Sequence, residues 1–328
     1  MRFLSRTIPR SFALLIGLVL ISSPLRAQAS GGRLLVLSKG DETLSVVDPS
    51  TGEVVWTAPS GPNPHEVVAS DDGTRAYISN YTPHNTLTVV DLVSREVLPV
   101  IDLGALRNPH GLAYAGGKVW FTAEGAGAMG SYDPASNQVD WTFRTGEDRT
   151  HMIEVTADVD RVLTTNTGSG TVSIIEMGAG SGPVQTVVTT GAGVEGFDIS
   201  PDEREVWAAN AGDGTISVID LAGKTVAQTI DAGVRSANRL KLTPDGRRAL
   251  VSMLRSPEVA IFDVASRELV KRVRVGSGAA GIEIQPDGAR AYIAATPDDY
   301  VAILDLESLE VVGQISAGRQ PDGLAWVP

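Results

Sequence analysis

The 328 residues carry 27 Lys+Arg against 39 Asp+Glu, a net charge of −12 that repels nucleic-acid phosphate and argues against a nucleic-acid partner. No cysteine is present, which excludes disulfides, thiolate nucleophiles and thiolate metal sites; a bound metal must use imidazole, carboxylate, amide or water ligands. A chain of this length buries enough core to need no covalent staple.

Residues 1–29 read as a secretory signal. Arg2, Arg6 and Arg10 form the basic start, Ser11–Ser23 the apolar stretch, and Ala27-Gln28-Ala29 the small-residue cleavage site. A retained anchor helix is the other reading, but the apolar stretch is short for a bilayer and no later segment is longer. Cleavage removes four arginines and no acid, taking the net charge to about −16. The expected product is a periplasmic or secreted monomer without a transmembrane segment, its single domain covering residues 30–328.

From Gly32 onward one unit recurs. An acid closes a β-branched run at Asp48, Asp91, Asp133, Glu176, Asp220, Asp263 and Asp305, at spacings of 42 to 44 residues. Each unit holds four short strands. The first alternates apolar and polar residues, as in HEVVAS (65–70) and NRLKLT (238–243), and a tight turn such as Pro244-Asp245-Gly246 follows. The second is AYISN (76–80) or VWAAN (206–210), the third TLTVVD or TISVID, and the fourth EVVWTA or KTVAQTI. No window keeps a 3.6-residue apolar period long enough for a helix. A strand-only repeat of this period predicts an all-β, seven-bladed β-propeller of four-stranded blades. The chain enters its repeat at a second strand (Gly32–Leu37) and leaves after a first strand (Asp322–Val327). The C-terminal strand is therefore expected to join the three N-terminal strands and close the ring.

AYISN (76–80), VWAAN (206–210) and AYIAAT (291–296), each followed by a strand like TISVID, resemble the repeats of the YVTN β-propeller family over residues 33–328. The resemblance implies the fold. It implies no single function, because propellers of this broad kind include sugar lactonases, an antibiotic-opening lyase, electron-transfer domains and nucleic-acid binders.

Three of the four histidines share one slot of the repeat. The first residue of the first strand is His65, His110, His151, Glu195, Asn238, Ala280 and Asp322 in chain order, whereas the third is apolar throughout. First strands are innermost in a propeller, so this slot rings one mouth of the central channel. His65, His110, His151 and Glu195 are the candidate metal ligands, suited to Fe, Zn, Cu or Mn more than to Ca or Mg. Second-strand ends should lie beside the same mouth and supply Asn80, Glu124, Asn166 and Asn210, with His84 in the loop after Asn80. Glu124 is the candidate general base. Asn80, His84, Asn166, Asn210, Asn238, Arg239 and Asp322 are candidate ligand-binding residues. The plain alternative is that the histidines only hydrate the mouth.

Glu154, Asp198, Lys241 and Glu283 share the fourth slot, deeper in the channel, and are expected to pair with one another or with water. Arg235, Arg239, Lys241, Arg247, Arg248 and Arg255 form a basic run expected to be a solvated face. No serine sits in a nucleophile turn, and the glycine-rich pieces lack a following helix, so neither Ser-His-Asp catalysis nor a phosphate loop is expected. The sequence leaves two readings. One is a metal-dependent envelope enzyme acting on a small molecule as a hydrolase, lactonase, lyase or oxidase. The other is a non-catalytic scaffold for an envelope protein.

Overall fold

A computed structural model describes residues 32–328 except 179 and 181, so the signal segment 1–29 lies outside the described residues. Seven antiparallel sheets of four strands form the blades of a ring. Numbered by their first strands, blade 1 runs Pro64–Asp102, blade 2 Pro109–Arg144, blade 3 Thr150–Thr189 and blade 4 Val194–Asp231. Blade 5 runs Ala237–Arg274 and blade 6 Ile282–Ile315. Blade 7 joins Pro321–Val327 to the N-terminal strands Arg33–Ser38, Thr43–Asp48 and Glu53–Pro59, with Val36 opposite Leu324 and Leu34 opposite Trp326. The expected closure is therefore present. It pairs two strand edges that would otherwise be open.

Second and third strands are the most buried, as in RAYISN (75–80) and TLTVVD (86–91), and fourth strands the most exposed. Apolar residues of neighbouring blades interdigitate: Trp207 and Val218 of blade 4 pack with Leu240 and Val251 of blade 5. Each such side chain contributes about 1.5–3 kcal/mol by leaving water. The repeat's acid does local work, as Asp91 accepts hydrogen bonds from the amides of Val93 (3.0 Å) and Ser94 (2.7 Å) in the turn that follows.

One local device builds the channel mouth. In blade 1, Pro64 pairs with Asn80 and Val67 with Ile78, so His65 and Glu66 together face Ser79 in a β-bulge. Equivalent register shifts open the first strands of blades 2, 3, 4 and 5. Two residues before the opening slot the chain turns left-handed at Asn63, Asn108, Arg149, Gly193, Ser236 and Gln320, with φ between 46° and 65°. A bulge leaves an amide without a ladder partner, and a hydroxyl one residue from the second strand's end accepts it. Ser79 takes Glu66 N (3.1 Å), Thr122 takes Gly111 N (2.9 Å), Thr165 takes Met152 N (3.2 Å) and Ser252 takes Arg239 N (3.0 Å). Thr122 and Ser252 then donate to the next blade, to His151 O and Ala280 O, both at 2.5 Å. Adjacent blades approach so closely here that a Cβ on Gly196 would lie 2.5 Å from Arg239 Cα.

Candidate functional site

The bulges turn the opening residues toward the mouth and bring the three expected histidines together. His65 and His110 rings lie 5.3 Å apart between centroids, and His110 stacks on His151 at 3.8 Å with a 28° interplanar angle. Tyr81 completes the array, 4.7 Å from His65 and edge-on to His110 at 4.9 Å.

The three imidazoles are electrostatically unlike. His151 is 5% exposed and held between two carboxylates, Nδ1 to Glu124 Oε2 at 2.8 Å and Nε2 to Glu195 Oε1 at 2.9 Å. Burial alone would lower its pKa, but the charges and hydrogen bonds of Glu195 and Glu124 outweigh it and raise the pKa to about 9. His151 is thus an imidazolium with both nitrogens engaged. His110, beside it, is pushed well below the ordinary value by burial and by the His151 charge, so it is neutral. Its Nδ1 is buried and meets no partner. His65 is also lowered, mainly by burial. Its Nδ1 lies 3.2 Å from Asn63 O, which accepts the ring proton and leaves Nε2 with a bare lone pair.

Glu124 accepts from Tyr81 Oη (2.8 Å), Arg149 Nε (2.9 Å) and His151. Burial pushes its pKa up, but His151, Tyr81 and Arg149 bring it down to about 2. So weak a base is a poor proton acceptor at neutral pH, which argues against the expected role of general base; in the structure Glu124 holds His151.

The expected asparagines also need correction. Asn80, Asn166 and Asn210 are fully buried and bonded to the third strand of their own blades, Asn80 also to Ser60 of the preceding loop, and are not displayed at the mouth. Asn80 accepts from Thr86 and Thr88 and donates to Ser60 O, while Asn166 and Asn210 each donate to a threonine and a serine of the third strand. The physical reason is strand alternation. Each asparagine ends its second strand, in the slot of Ala123, and Glu124 occupies the next slot together with Tyr81 and Lys39. The amides of Glu124, Tyr81 and Lys39 all bond the left-handed residue of the preceding loop, Asn108, Asn63 and Gln320. That slot supplies the mouth.

Asp322 is buried and paired with Lys39 at 2.8 Å. Asn238 is 8% exposed with Oδ1 unpartnered. Arg239 crosses the channel from blade 5 to Glu66 of blade 1 and donates to Asn238 O at 3.0 Å. His84 lies in the Tyr81–Asn85 loop and, among the described residues, is outside the ring array.

Two imidazoles sharing a metal at about 2.0–2.1 Å hold their ring centroids roughly 5 Å apart, which the His110–His151 stack does not do. With both His151 nitrogens on carboxylates, the His65, His110, His151 and Glu195 set does not fit a common ion as it stands. Among the described residues no group of three or more side chains has metal-holding geometry.

Below Arg239 the channel opens into a cavity of about 260 Å³ lined by Glu66, Glu154, Arg239, Lys241 and Glu283. Lys241 donates to Glu154 Oε1 at 2.9 Å, so the fourth-slot groups do pair, and Arg239 and Lys241 belong to the channel and not to a solvated basic face. Three carboxylates share this one lysine. Burial, opposed by Lys241, raises Asp198 to about 6 and Glu283 to about 7.

Fold and site together define a seven-bladed β-propeller with a charged channel and a histidine-rich mouth. The chain belongs to the YNCE-like beta-propeller family, whose sequence model matches residues 114–288. A comparison with curated protein sequences finds no match. Among solved structures the chain is similar to a candidate 6-phosphogluconolactonase from Bacteroides uniformis, with a TM-score of 0.75 and 18% identity over 90% of this chain and 99% of that one. It is also similar to Kuenenia stuttgartiensis hydrazine synthase, with a TM-score of 0.68 and 19% identity over 80% and 89% of the two chains. The dihydro-heme d1 dehydrogenase NirN in complex with DHE gives a TM-score of 0.63 and 17% identity over 89% and 74%. At these identities the likeness is one of fold.

Proposed function

We propose that the protein binds a small molecule over the histidine mouth and transfers protons there, with His65 as proton acceptor and His151 as a fixed cation. One observation carries this reading: neutral His110 and cationic His151 lie 3.8 Å apart, their pKa values pushed in opposite directions. Neighbouring groups with divergent protonation mark acid–base sites. Ester or lactone hydrolysis is a reaction class that such a site serves, with His151 as the fixed neighbouring charge. His65 Nε2 takes a proton from water, the hydroxyl adds to the carbonyl carbon, the ring C–O bond breaks, and the departing oxygen takes the proton back. The fold likeness to a candidate lactonase is compatible with this class by analogy alone.

A transition metal (Fe, Zn, Cu or Mn) is the second reading, favoured by the unpartnered Nδ1 of His110. It requires Glu195 to leave His151. We also assign the repeats to the YVTN type and the mature chain to the periplasm or the exterior as a monomer, on the motifs and leader described above. Elemental analysis of untagged protein, with a ligand screen on wild type and His65→Ala, tests the proposal. The expected result is no stoichiometric metal and a small molecule whose binding His65→Ala abolishes. Stoichiometric metal lost on His110→Ala supports the second reading. Ligand-free protein whose cellular role survives both substitutions marks a scaffold for an envelope partner and overturns the proposal.

A further inference from the structure

Among the described residues, the charged side chains that ring the mouth are paired. Glu124 and Glu195 face His151, and Arg149 adds a second cation to Glu124. Asp322 faces Lys39, and Glu66 faces Arg239. Four carboxylates are thus matched by four cations, in a chain whose formal net charge is −12. A phosphate or an ammonium group entering here meets no uncompensated partner, and stripping water from an unpaired ion is costly.

Among the described residues, what remains unsatisfied at the mouth is neutral; the other buried unpartnered atoms, Thr164 Oγ1 and Asn210 Oδ1, lie within blades 3 and 4. His110 Nδ1 and Asn238 Oδ1 are buried without partners, on side chains 4% and 8% exposed. His65 Nε2 is bare because the other ring nitrogen faces Asn63 O. A neutral imidazole presents one lone pair and one ring N–H, so His110 offers one of each, while an amide oxygen only accepts. The free valences of blades 1, 2 and 5 are therefore neutral, with acceptors at His65 and Asn238 and one acceptor and one donor at His110, which suits hydroxyl groups that both donate and accept. Ring faces of Tyr81 and His65, 4.7 Å apart, add apolar area for C–H groups.

Resting on the small-molecule reading above, we infer that the mouth selects an uncharged molecule carrying several hydroxyl groups, such as a sugar or polyol, and discriminates against its phosphorylated and amino analogues. Calorimetric titration of untagged protein with methyl α-D-glucopyranoside, glucose 6-phosphate and glucosamine tests this. The neutral glycoside is expected to bind at least about tenfold more tightly than either charged sugar. His110→Phe, which keeps a ring on His151 but removes the ring nitrogens, is expected to weaken it at least about tenfold, with Asn238→Ala as a second variant if the first does not fold.

Equal or tighter binding of a charged sugar overturns the inference, as does unchanged affinity in a folded variant or no glycoside binding at about 10 mM. If a charged sugar wins and His65→Ala weakens it, the mouth remains a small-molecule site and only the class falls. If no small molecule binds there, both readings fall.

Discussion

Glu195→Gln removes one jaw of the clamp on His151. In the folded protein His151 rises from an ordinary 6.5 to about 9. At about 1.4 kcal/mol per pH unit this is worth roughly 3 kcal/mol of stability for a side chain so little exposed. The fall of Glu124 from 4.5 to about 2 is the same interaction seen from the acid and is not added. Because the folded pKa of His151 is the higher one, its contribution is fully present below pH 6.5 and is lost as pH rises through 9. Glu124 acts oppositely, its contribution fading as pH falls from 4.5 toward 2. Glu195→Gln should lower the His151 pKa by at least about one unit and remove about half of its pH-dependent stability between pH 7 and pH 9. Histidine NMR titration reads the first quantity and urea unfolding at successive pH values the second. A His151 that titrates near 6.5 in wild type, or an unchanged stability profile in Glu195→Gln, refutes the clamp.

The lower channel bends the same profile by a different route. Asp198 and Glu283 have raised folded pKa values, so their contribution is present near pH 4 and lost as pH rises through 6 to 7. Glu283→Gln should flatten unfolding free energy between pH 5 and pH 8, as read by urea titration, and leave the His151 titration unmoved. Asn80→Ala strands the hydroxyls of Thr86 and Thr88 and Ser60 O; a loss of about 1–3 kcal/mol is expected in urea unfolding, with ligand binding at the mouth retained. Gly281→Ala would place a Cβ 2.0 Å from Asp322 O where blades 6 and 7 meet, and should lower the melting temperature by several degrees in calorimetry.

The fold was legible because the repeat is self-consistent: the closing acids, the turn residues and the offset chain ends all specify the same ring. The ring of opening residues and the pairing of Lys241 were legible for the same reason, since symmetric slots meet near one axis. Side-chain direction was not. Asn80 and Tyr81 are neighbours in sequence, yet one is locked inside the blade and the other reaches the mouth, because alternation reverses at each residue. Glu124 aligned with the asparagines only through a one-residue offset; its equivalents are Tyr81 and Lys39. The bulge was hidden too, although the hydroxyls that support it, Ser79, Thr122, Thr165 and Ser252, occupy one recurrent position. Arg149 and Lys39 carried no motif, and their roles depend on partners from neighbouring repeats.

The most direct test is a crystal structure of untagged protein purified from its native host. The account predicts non-protein density at the mouth in contact with His65 or His110, with His151 still held between Glu124 and Glu195. A metal ion bound jointly by His65, His110, His151 and Glu195, or a ligand seated elsewhere above a mouth holding only water, would contradict it.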